Sequence, residues 1–308
     1  MWQQAVTPSP AAVAPHTMEH MTTKTFSLGG DLTIKRLGFG AMRLAMSTFG
    51  GPLRAPESGV AVLRRAVDLG VDHIDTAGFY GGGDVRANEL IRTALAPYRD
   101  GLVIATKVGP MMAPDGVPSL QATPDQLRGL VEADLRALGL DRLDLVYLRV
   151  GGLSGAGGES IAERFAVLAG LRDEGLIRHL GVSNVDAAQL AEARAIAPVA
   201  AVQNQHASDS GLPAQCEAAG IAFVPFFPLG GGTGPVDRGT TDPMDAERLR
   251  KVAERLGATT AQVSIAALLA ASPSMLAIPG TGSLDHLEEN MAAGSLDLSE
   301  EDLAELRG

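Results

Sequence analysis

Cysteine is almost absent from this 308-residue chain, which excludes a fold held together by disulfide bonds. The lone Cys216 has no partner within the chain, as is typical of proteins in a reducing compartment. Long apolar runs are also missing, because stretches such as Ile265 to Ala271 are far shorter than the roughly 20 residues that span a bilayer. We therefore expect a cytoplasmic protein without a membrane segment.

Positive charge is scarce as well. The chain has 25 Lys and Arg against 36 Asp and Glu, a formal net charge of −11. Nucleic-acid-binding surfaces carry clustered positive charge, so we expect no nucleic-acid partner. The six His are scattered, with no H-E-x-x-H motif and no cysteine pair, so we expect no metal site.

Residues 1–22 lack both the basic segment and the apolar segment of a signal peptide, and they are rich in Ala, Pro, Thr and Gln. We interpret them as a disordered N-terminal tail, or as an overlong start, since Met18 and Met21 could each begin a compact chain. No break in composition divides the remainder, so residues 23–308 are expected to form a single domain.

From residue 35 onward, short apolar runs alternate with amphipathic runs of helical period. Eight strands are predicted, over 36–43, 71–77, 102–108, 143–150, 177–183, 199–204, 221–227 and 275–279. Helices are predicted between and after them, over 57–69, 86–96, 124–138, 160–174, 186–196, 212–219, 245–256, 260–271 and 284–293. Eight alternating units favour an α/β fold in which a parallel sheet closes into a (β/α)₈ TIM barrel.

Two runs near the start of the chain predict a β-hairpin ahead of the barrel. The segments 25–28 and 31–34 flank Gly29 and Gly30, a pair that favours a tight turn. Such a hairpin could plug the N-terminal mouth of the barrel. Glycine-rich residues 151–158 and residues 230–243 both follow strands, and we expect them to be mobile loops.

Polar side chains end or follow the predicted strands, and barrel enzymes act at that end. They are Asp75 and Tyr80 after strand two, Lys107 on strand three, Arg149 on strand four, Ser183 and Asn184 on strand five, Gln203 on strand six and Thr281 after strand eight. The aromatic Phe226 on strand seven and Gly280 after strand eight lie at the same end. A phenol beside an ammonium and a carboxylate would be a proton donor with a lowered pKa. The chemistry that this set suggests is protonation of a carbonyl oxygen during reduction.

The motifs around these residues resemble the aldo-keto reductase family from about Thr25 to the C-terminus. The segment His-Ile-Asp-Thr-Ala-x-x-Tyr-Gly begins at His73 and is the diagnostic one. It is followed in family order by Ala-Thr-Lys ending at 107, Gly-Val-Ser-Asn at 181–184, Val-Gln-Asn at 202–204, Pro-Leu-Gly at 228–230 and Ile-Pro-Gly-Thr at 278–281. The resemblance implies a carbonyl reductase that uses a nicotinamide cofactor, and it makes a monomer the default expectation.

The resemblance also implies a role for each matching residue. Tyr80 would be the general acid, with its pKa lowered by Lys107, which pairs with Asp75. Cofactor binding would fall to Ser183, Asn184 and Gln203 at the nicotinamide carboxamide, Phe226 as the stacking aromatic, Leu229 and Gly230 at the pyrophosphate, and Gly280, Thr281, His286, Glu289 and Asn290 at the adenosine end.

Arg149 departs from the family pattern, because it stands where the fourth catalytic residue is usually a His. A guanidinium donates hydrogen bonds too, but its charge is permanent and suits carboxylate, phosphate or a developing oxyanion. Arg149 would therefore either polarise the carbonyl or recognise an anionic or phenolic substrate group. The surrounding sequence resembles a bacterial subgroup that includes pyridoxal reductases, so pyridoxal is a plausible substrate.

The adenosine end departs as well, since Gly280 and His286 stand where many members place Lys and Arg on the 2′-phosphate. The glycine variant also occurs in enzymes that use NADPH, so we favour NADPH and leave NADH open.

Structural explanations compete with several of these roles. Arg149 could form only an ion pair at the barrel rim, Ser183 and Asn184 could cap the next helix, and Phe226 could belong to the core. If the exchange of the usual His for Arg149 removes catalysis, the alternative function is a non-catalytic sensor that binds NADP(H) and reports redox state. A Rossmann-type reductase is disfavoured, because no G-x-G-x-x-G follows a strand and no Tyr-x-x-x-Lys occurs.

Overall fold

The computed structural model describes residues 24–46, 54–114, 118–151, 158–205, 211–226 and 243–308. Its strands are β1 Thr25–Leu28, β2 Leu32–Lys35, β3 Phe39–Gly40, β4 His73–Asp75, β5 Gly81–Gly82, β6 Val85–Arg86, β7 Val103–Val108, β8 Pro110–Met111, β9 Leu120–Gln121, β10 Leu143–Arg149, β11 Ile177–Ser183, β12 Ala201–Gln203 and β13 Ala222–Phe223. Its helices are α1 Met42–Ala45, α2 Pro56–Asp68, α3 Ala87–Leu95, α4 Pro124–Leu138, α5 Ala162–Asp173, α6 Ala187–Ile196, α7 Leu212–Ala218, α8 Pro243–Leu256, α9 Thr260–Ala271, α10 Leu284–Ala292 and α11 Glu300–Arg307, with a 3₁₀ turn at Ala293–Ser295.

Seven strands form one parallel sheet in the order β3-β4-β7-β10-β11-β12-β13. The segment 274–279 closes it, because it pairs with the strands at both ends. Leu276 N donates to Phe223 O at 2.9 Å on one side, and Gly38 N donates to Ala277 O at 2.8 Å on the other. The fold is therefore the (β/α)₈ barrel that the alternating pattern predicts.

Alternation along the strands separates two apolar layers. On β10, Leu145 and Tyr147 face the interior of the barrel, while Val146 and Leu148 pack against the surrounding helices. The same alternation places the odd-numbered residues of β4 and β7 inside. Polar residues at the carboxyl ends of these strands therefore project into the same opening.

The predicted hairpin is confirmed as an antiparallel pair of β1 and β2, and it closes the N-terminal mouth of the barrel. Leu28 and Ile34 belong to the interior apolar cluster. Strand β2 begins one residue later than predicted, because Asp31 is in the turn. There it accepts hydrogen bonds from Arg178, at 2.7 Å, and lies 2.6 Å from Nε2 of His179.

Helix boundaries agree closely with the predictions. Helix α4 begins with a capping box between Thr123 and Gln126 and is terminated by Gly139, which has a left-handed φ of 68°. The predictions missed α1, α11 and the two-residue pairs β5–β6 and β8–β9. Most of both expected mobile loops, and the tail 1–22, lie outside the described residues. In the described part of the chain, no helix has the length and apolar character needed to cross a bilayer.

Candidate active site

The register of the sheet brings the predicted polar residues together at one end of the barrel. Arg149 pairs with Ser183 on the next strand, and Ser183 pairs with Gln203 on the strand after it. Asp75 ends β4, and Lys107 is the last residue but one of β7, which is the neighbouring strand. Parallel strands that end together place these five side chains around a single opening, as in other barrels.

Lys107 and Asp75 form a buried ion pair in this opening. Their side chains approach to 2.5 Å, and the two residues are only 2% and 4% exposed. Lys107 also donates to the Thr76 carbonyl at 3.0 Å, and Gln203 donates to the second carboxylate oxygen of Asp75 at 2.7 Å. A buried charge pair survives only with such additional hydrogen bonds, so its geometry is tightly constrained.

Tyr80 lies beside this pair, on the loop that follows β4. The ammonium of Lys107 is 4.8 Å from the centre of the Tyr80 ring and also hydrogen-bonds the phenol. The loop is held at both sides of Tyr80, since Tyr80 N donates to Ala77 O and Ala87 N donates to Tyr80 O, each at 3.0 Å. The phenol, the ammonium and the carboxylate are thus brought together as the sequence predicts.

Burial dominates the acidity of these groups. It raises the pKa of Tyr80 above its ordinary value, and Asp75 raises it further, although Lys107 and Arg149 act to lower it. Lys107 therefore acts in the expected direction, but the net shift is upward. Burial lowers the pKa of Lys107, whereas Asp75 and Tyr80 raise it by more, so Lys107 stays positively charged.

Arg149 lines the same opening from β10. Its Nη1 donates to the hydroxyl of Ser183 at 3.2 Å, and its guanidinium carbon lies 4.9 Å from the centre of the Phe226 ring. Burial lowers the pKa of Arg149, while Tyr80 and Asp75 raise it, and a guanidinium remains charged at neutral pH regardless. Among the described residues, its guanidinium contacts the Ser183 hydroxyl and the Phe226 ring, so it faces the opening.

Ser183, Asn184 and Gln203 form a polar wall beside Arg149. Asn184 adopts a left-handed conformation, with φ of 60°, which is uncommon for a residue other than glycine. Its amide donates to Val150 O at 2.8 Å. The side-chain oxygen of Gln203 is buried and has no hydrogen-bond partner among the described residues. A buried acceptor without a donor is unfavourable unless a bound group supplies one.

The chain matches a family of known proteins along most of its length. The model of the Aldo/keto reductase family matches residues 36–308. The chain belongs to this family. It is 45% identical over 294 residues to pyridoxine 4-dehydrogenase of Escherichia coli (strain K12). The aligned region covers 94% of this chain and 99% of that protein.

Solved structures of other members superpose on it. A thermostable aldo-keto reductase, Tm1743, in complex with the inhibitor epalrestat has a TM-score of 0.76 and 30% identity, with 92% of this chain and 98% of that chain covered. An aldo/keto reductase from Klebsiella pneumoniae in complex with NADP and acetate has a TM-score of 0.73 and 27% identity, with 92% and 94% covered.

The residues that the family resemblance assigns to the adenosine end differ in their surroundings. Gly280 lies against Gly40, and a Cβ on it would be 2.5 Å from the Gly40 carbonyl oxygen. The close packing of the backbone where the barrel closes therefore requires a glycine at this position, whether or not it contacts the cofactor. Glu289 accepts a hydrogen bond from Thr259 at 2.6 Å, which directs its carboxylate to the start of α9. Thr281 and Asn290 are buried, and His286 is exposed. Leu229 and Gly230 lie outside the described residues.

A buried polar network behind the site was not predicted. Asp134 on α4 accepts hydrogen bonds from Thr106 at 2.6 Å and from Asn88 at 3.0 Å, and Thr76 donates to Asn88 at 2.8 Å. Thr76 directly follows Asp75 in the sequence, and Thr106 directly precedes Lys107. Burial raises the pKa of Asp134 to about 7, although both hydrogen bonds lower it.

Helical spacing is the signal that reveals this network in the sequence. Asp134 shares the apolar stripe of α4 with Leu127, Val131, Leu135 and Leu138, so it must face the core. Tyr147, a second unpredicted residue, lies on the inner face of β10 two residues before Arg149 and is only 2% exposed.

Among the described residues, no group of three His, Cys, Asp or Glu is arranged to hold a metal ion.

Proposed function

We propose that this protein is an NADPH-dependent carbonyl reductase that converts an aldehyde or ketone to the alcohol, with Tyr80 as the general acid. One observation carries the proposal: a phenol, an ammonium and a carboxylate from three separate segments meet at the carboxyl end of the barrel. A protein that only bound a nucleotide would not need this buried ion pair beside a tyrosine.

The residues divide the chemistry as follows. When bound, NADPH supplies the hydride that goes to the carbonyl carbon. The hydroxyl of Tyr80 donates its proton to the carbonyl oxygen, and its raised pKa keeps that proton in place until the reaction. The charges of Lys107 and Arg149 stabilise the phenolate that remains, because both favour the ionised form of Tyr80. Asp75 holds Lys107 charged and in position.

The polar wall suits the carboxamide of a nicotinamide. The unpartnered oxygen of Gln203 can accept a hydrogen bond from the amide nitrogen, and the hydroxyl of Ser183 and the amide of Asn184 can bind the amide oxygen. Phe226 offers an aromatic face next to these groups. Fixing the carboxamide decides which face of the ring is turned toward Tyr80.

Pyridoxal is the substrate that we propose to test first. The pyridoxine 4-dehydrogenase relative supports it, because pyridoxine is the alcohol that reduction of pyridoxal gives. Arg149 supports it independently, since a permanent positive charge in a buried opening suits a substrate that carries a phenolic oxygen. NADH remains the alternative cofactor.

Cellular context is part of the same proposal. The single cysteine fits a cytoplasmic enzyme. We expect a monomer in solution, formed by residues 23–308 and preceded by the tail 1–22.

The experiment is steady-state NADPH oxidation with a panel of aldehydes that includes pyridoxal, comparing wild type with Tyr80→Phe. Loss of the general acid should lower kcat by about 10²- to 10⁴-fold. NADPH binding, followed by cofactor fluorescence, should be unchanged. Wild-type turnover that persists in full in Tyr80→Phe would refute the role of Tyr80.

Tyr98→Phe is the matched control. The Tyr98 hydroxyl donates to Leu138 O at 2.6 Å, far from the opening, so removing it should leave kcat unchanged. Tight NADPH binding without turnover on any carbonyl would instead favour the sensor function.

A further inference from the structure

The segment proposed for the adenosine 2′-phosphate carries the wrong charge for that task. From Gly280 to Asn290 it contains no Lys or Arg, and it contains Asp285, Glu288 and Glu289. A phosphate monoester carries a charge of about −1.5 to −2 at neutral pH. A cation from another part of the chain is therefore needed if NADPH binds here in preference to NADH.

Arg54 lies against this segment. A Cβ on Gly282 would be 2.4 Å from both Cδ and Nε of Arg54 and 3.2 Å from its guanidinium carbon. The arginine side chain therefore lies on the backbone between Thr281 and Ser283, in space that only a glycine leaves open. Although Arg54 precedes α2 in sequence, α2 packs against α10, which follows Ser283.

The charge of Arg54 is not neutralised within the described residues. Arg54 is exposed and makes no ion pair or side-chain hydrogen bond with them. Arg65 on α2 differs, because its guanidinium is 2.8 Å from the carboxylate of Glu288. Within the described part of the chain, Arg54 is thus a cation on this surface that an incoming anion can reach without breaking an ion pair.

We propose that Arg54 binds the 2′-phosphate of NADPH and supplies the cofactor selectivity that residues 280–290 lack. This rests on the proposed function, and it adds a residue from outside the segment that the family resemblance assigns. A guanidinium can donate two parallel hydrogen bonds to a phosphate, which are roughly twice as strong as neutral ones. The N-terminus of α10 adds favourable N–H groups next to Ser283, and Asp285 in its first turn opposes them.

The test measures the dissociation constants of NADPH and NADH for wild type and Arg54→Ala. We expect the NADPH constant to rise roughly ten- to a hundredfold, as for loss of hydrogen bonds to a charged group, and the NADH constant to change less than about twofold. High salt should weaken NADPH binding to wild type much more than to Arg54→Ala. A merely structural role for Arg54 would change both constants together.

Two further variants sharpen the result. Gly282→Ala should reproduce the selective loss of NADPH affinity, because its methyl group displaces the Arg54 side chain. Arg65→Ala removes an arginine of α2 that is already paired with Glu288, so both constants should stay at the wild-type values.

The outcomes separate this inference from the proposed function. If wild type binds NADPH tightly and Arg54→Ala binds it equally well, the role of Arg54 is refuted while the proposed function stands. Equal weakening of NADPH and NADH also overturns it. If wild type does not bind NADPH, the proposed cofactor is wrong and the role of Arg54 is wrong with it.

Discussion

Replacing Asp134 with Asn should remove a large pH dependence from the stability of the barrel. Asp134 is 3% exposed, and burial raises its pKa to about 7 from an ordinary value of 3.8. A shift of about 3 units corresponds to about 4 kcal/mol, since each unit is about 1.4 kcal/mol. This is an upper limit, because an unfolded chain that keeps some structure reduces the difference.

The sign follows from which state binds the proton more tightly. The folded protein has the higher pKa, so between about pH 4 and pH 7 it keeps a proton that the unfolded chain has lost. The free energy of unfolding is therefore greatest below the unfolded pKa, falls as the pH rises, and levels off above pH 7. About 2 to 3 kcal/mol of this loss should fall between pH 5 and pH 8.

Urea unfolding followed by circular dichroism at a series of pH values measures the effect. Asp134→Asn has no proton to release, so its stability relative to wild type should rise by about 2 to 3 kcal/mol from pH 5 to pH 8. Val131→Ala, one turn earlier on α4 and fully buried, should lose a constant amount at every pH. A difference between Asp134→Asn and wild type that does not change with pH would refute the reasoning.

Two further predictions concern the opening of the barrel. Lys107→Met leaves the carboxylate of Asp75 buried without its ammonium, so we expect the free energy of unfolding in urea to fall by about 3 to 5 kcal/mol and turnover to be almost lost. Adding Asp75→Asn should restore stability but not activity. A double variant as unstable as the single one would contradict this. Arg149→His exchanges a permanent charge for an imidazole that titrates near pH 6.5. The pH profile of kcat should therefore gain a step at about pH 6 to 7 that wild type lacks. Identical profiles would show that the charge of Arg149 does not act on the reaction.

The architecture was predictable because several independent signals coincide on each element. Helix α4 has a capping pair at Thr123 and a left-handed glycine at Gly139, and its predicted bounds are those of the structure. Most strands are shorter than predicted, since an apolar run also covers residues that leave the sheet, whereas β11 has its predicted bounds of 177–183. The pairs β5–β6 and β8–β9 are too short for any periodicity, and tertiary contacts decide them.

The candidate site was predictable in its composition but not in its energetics. Strand ends and motifs gave Asp75, Tyr80 and Lys107, which the structure brings together. The upward shift in the pKa of Tyr80 was not predictable, because burial of the hydroxyl depends on elements far apart in sequence. Arg54 was missed for the same reason: its position against Gly282 is fixed only when α2 and α10 pack together.

The two faces of β4 and β7 have different tasks at the carboxyl end of the barrel. Asp75 and Lys107 face the opening, while the adjacent Thr76 and Thr106 face the helices and are tied to Asn88 and Asp134. A residue on a strand cannot move without its neighbour, so the outward network restrains the inward ion pair. Changes to the network should therefore alter the position of Lys107 relative to Tyr80, and with it kcat, while leaving in place the residues on β11 and β12 that we propose bind the cofactor.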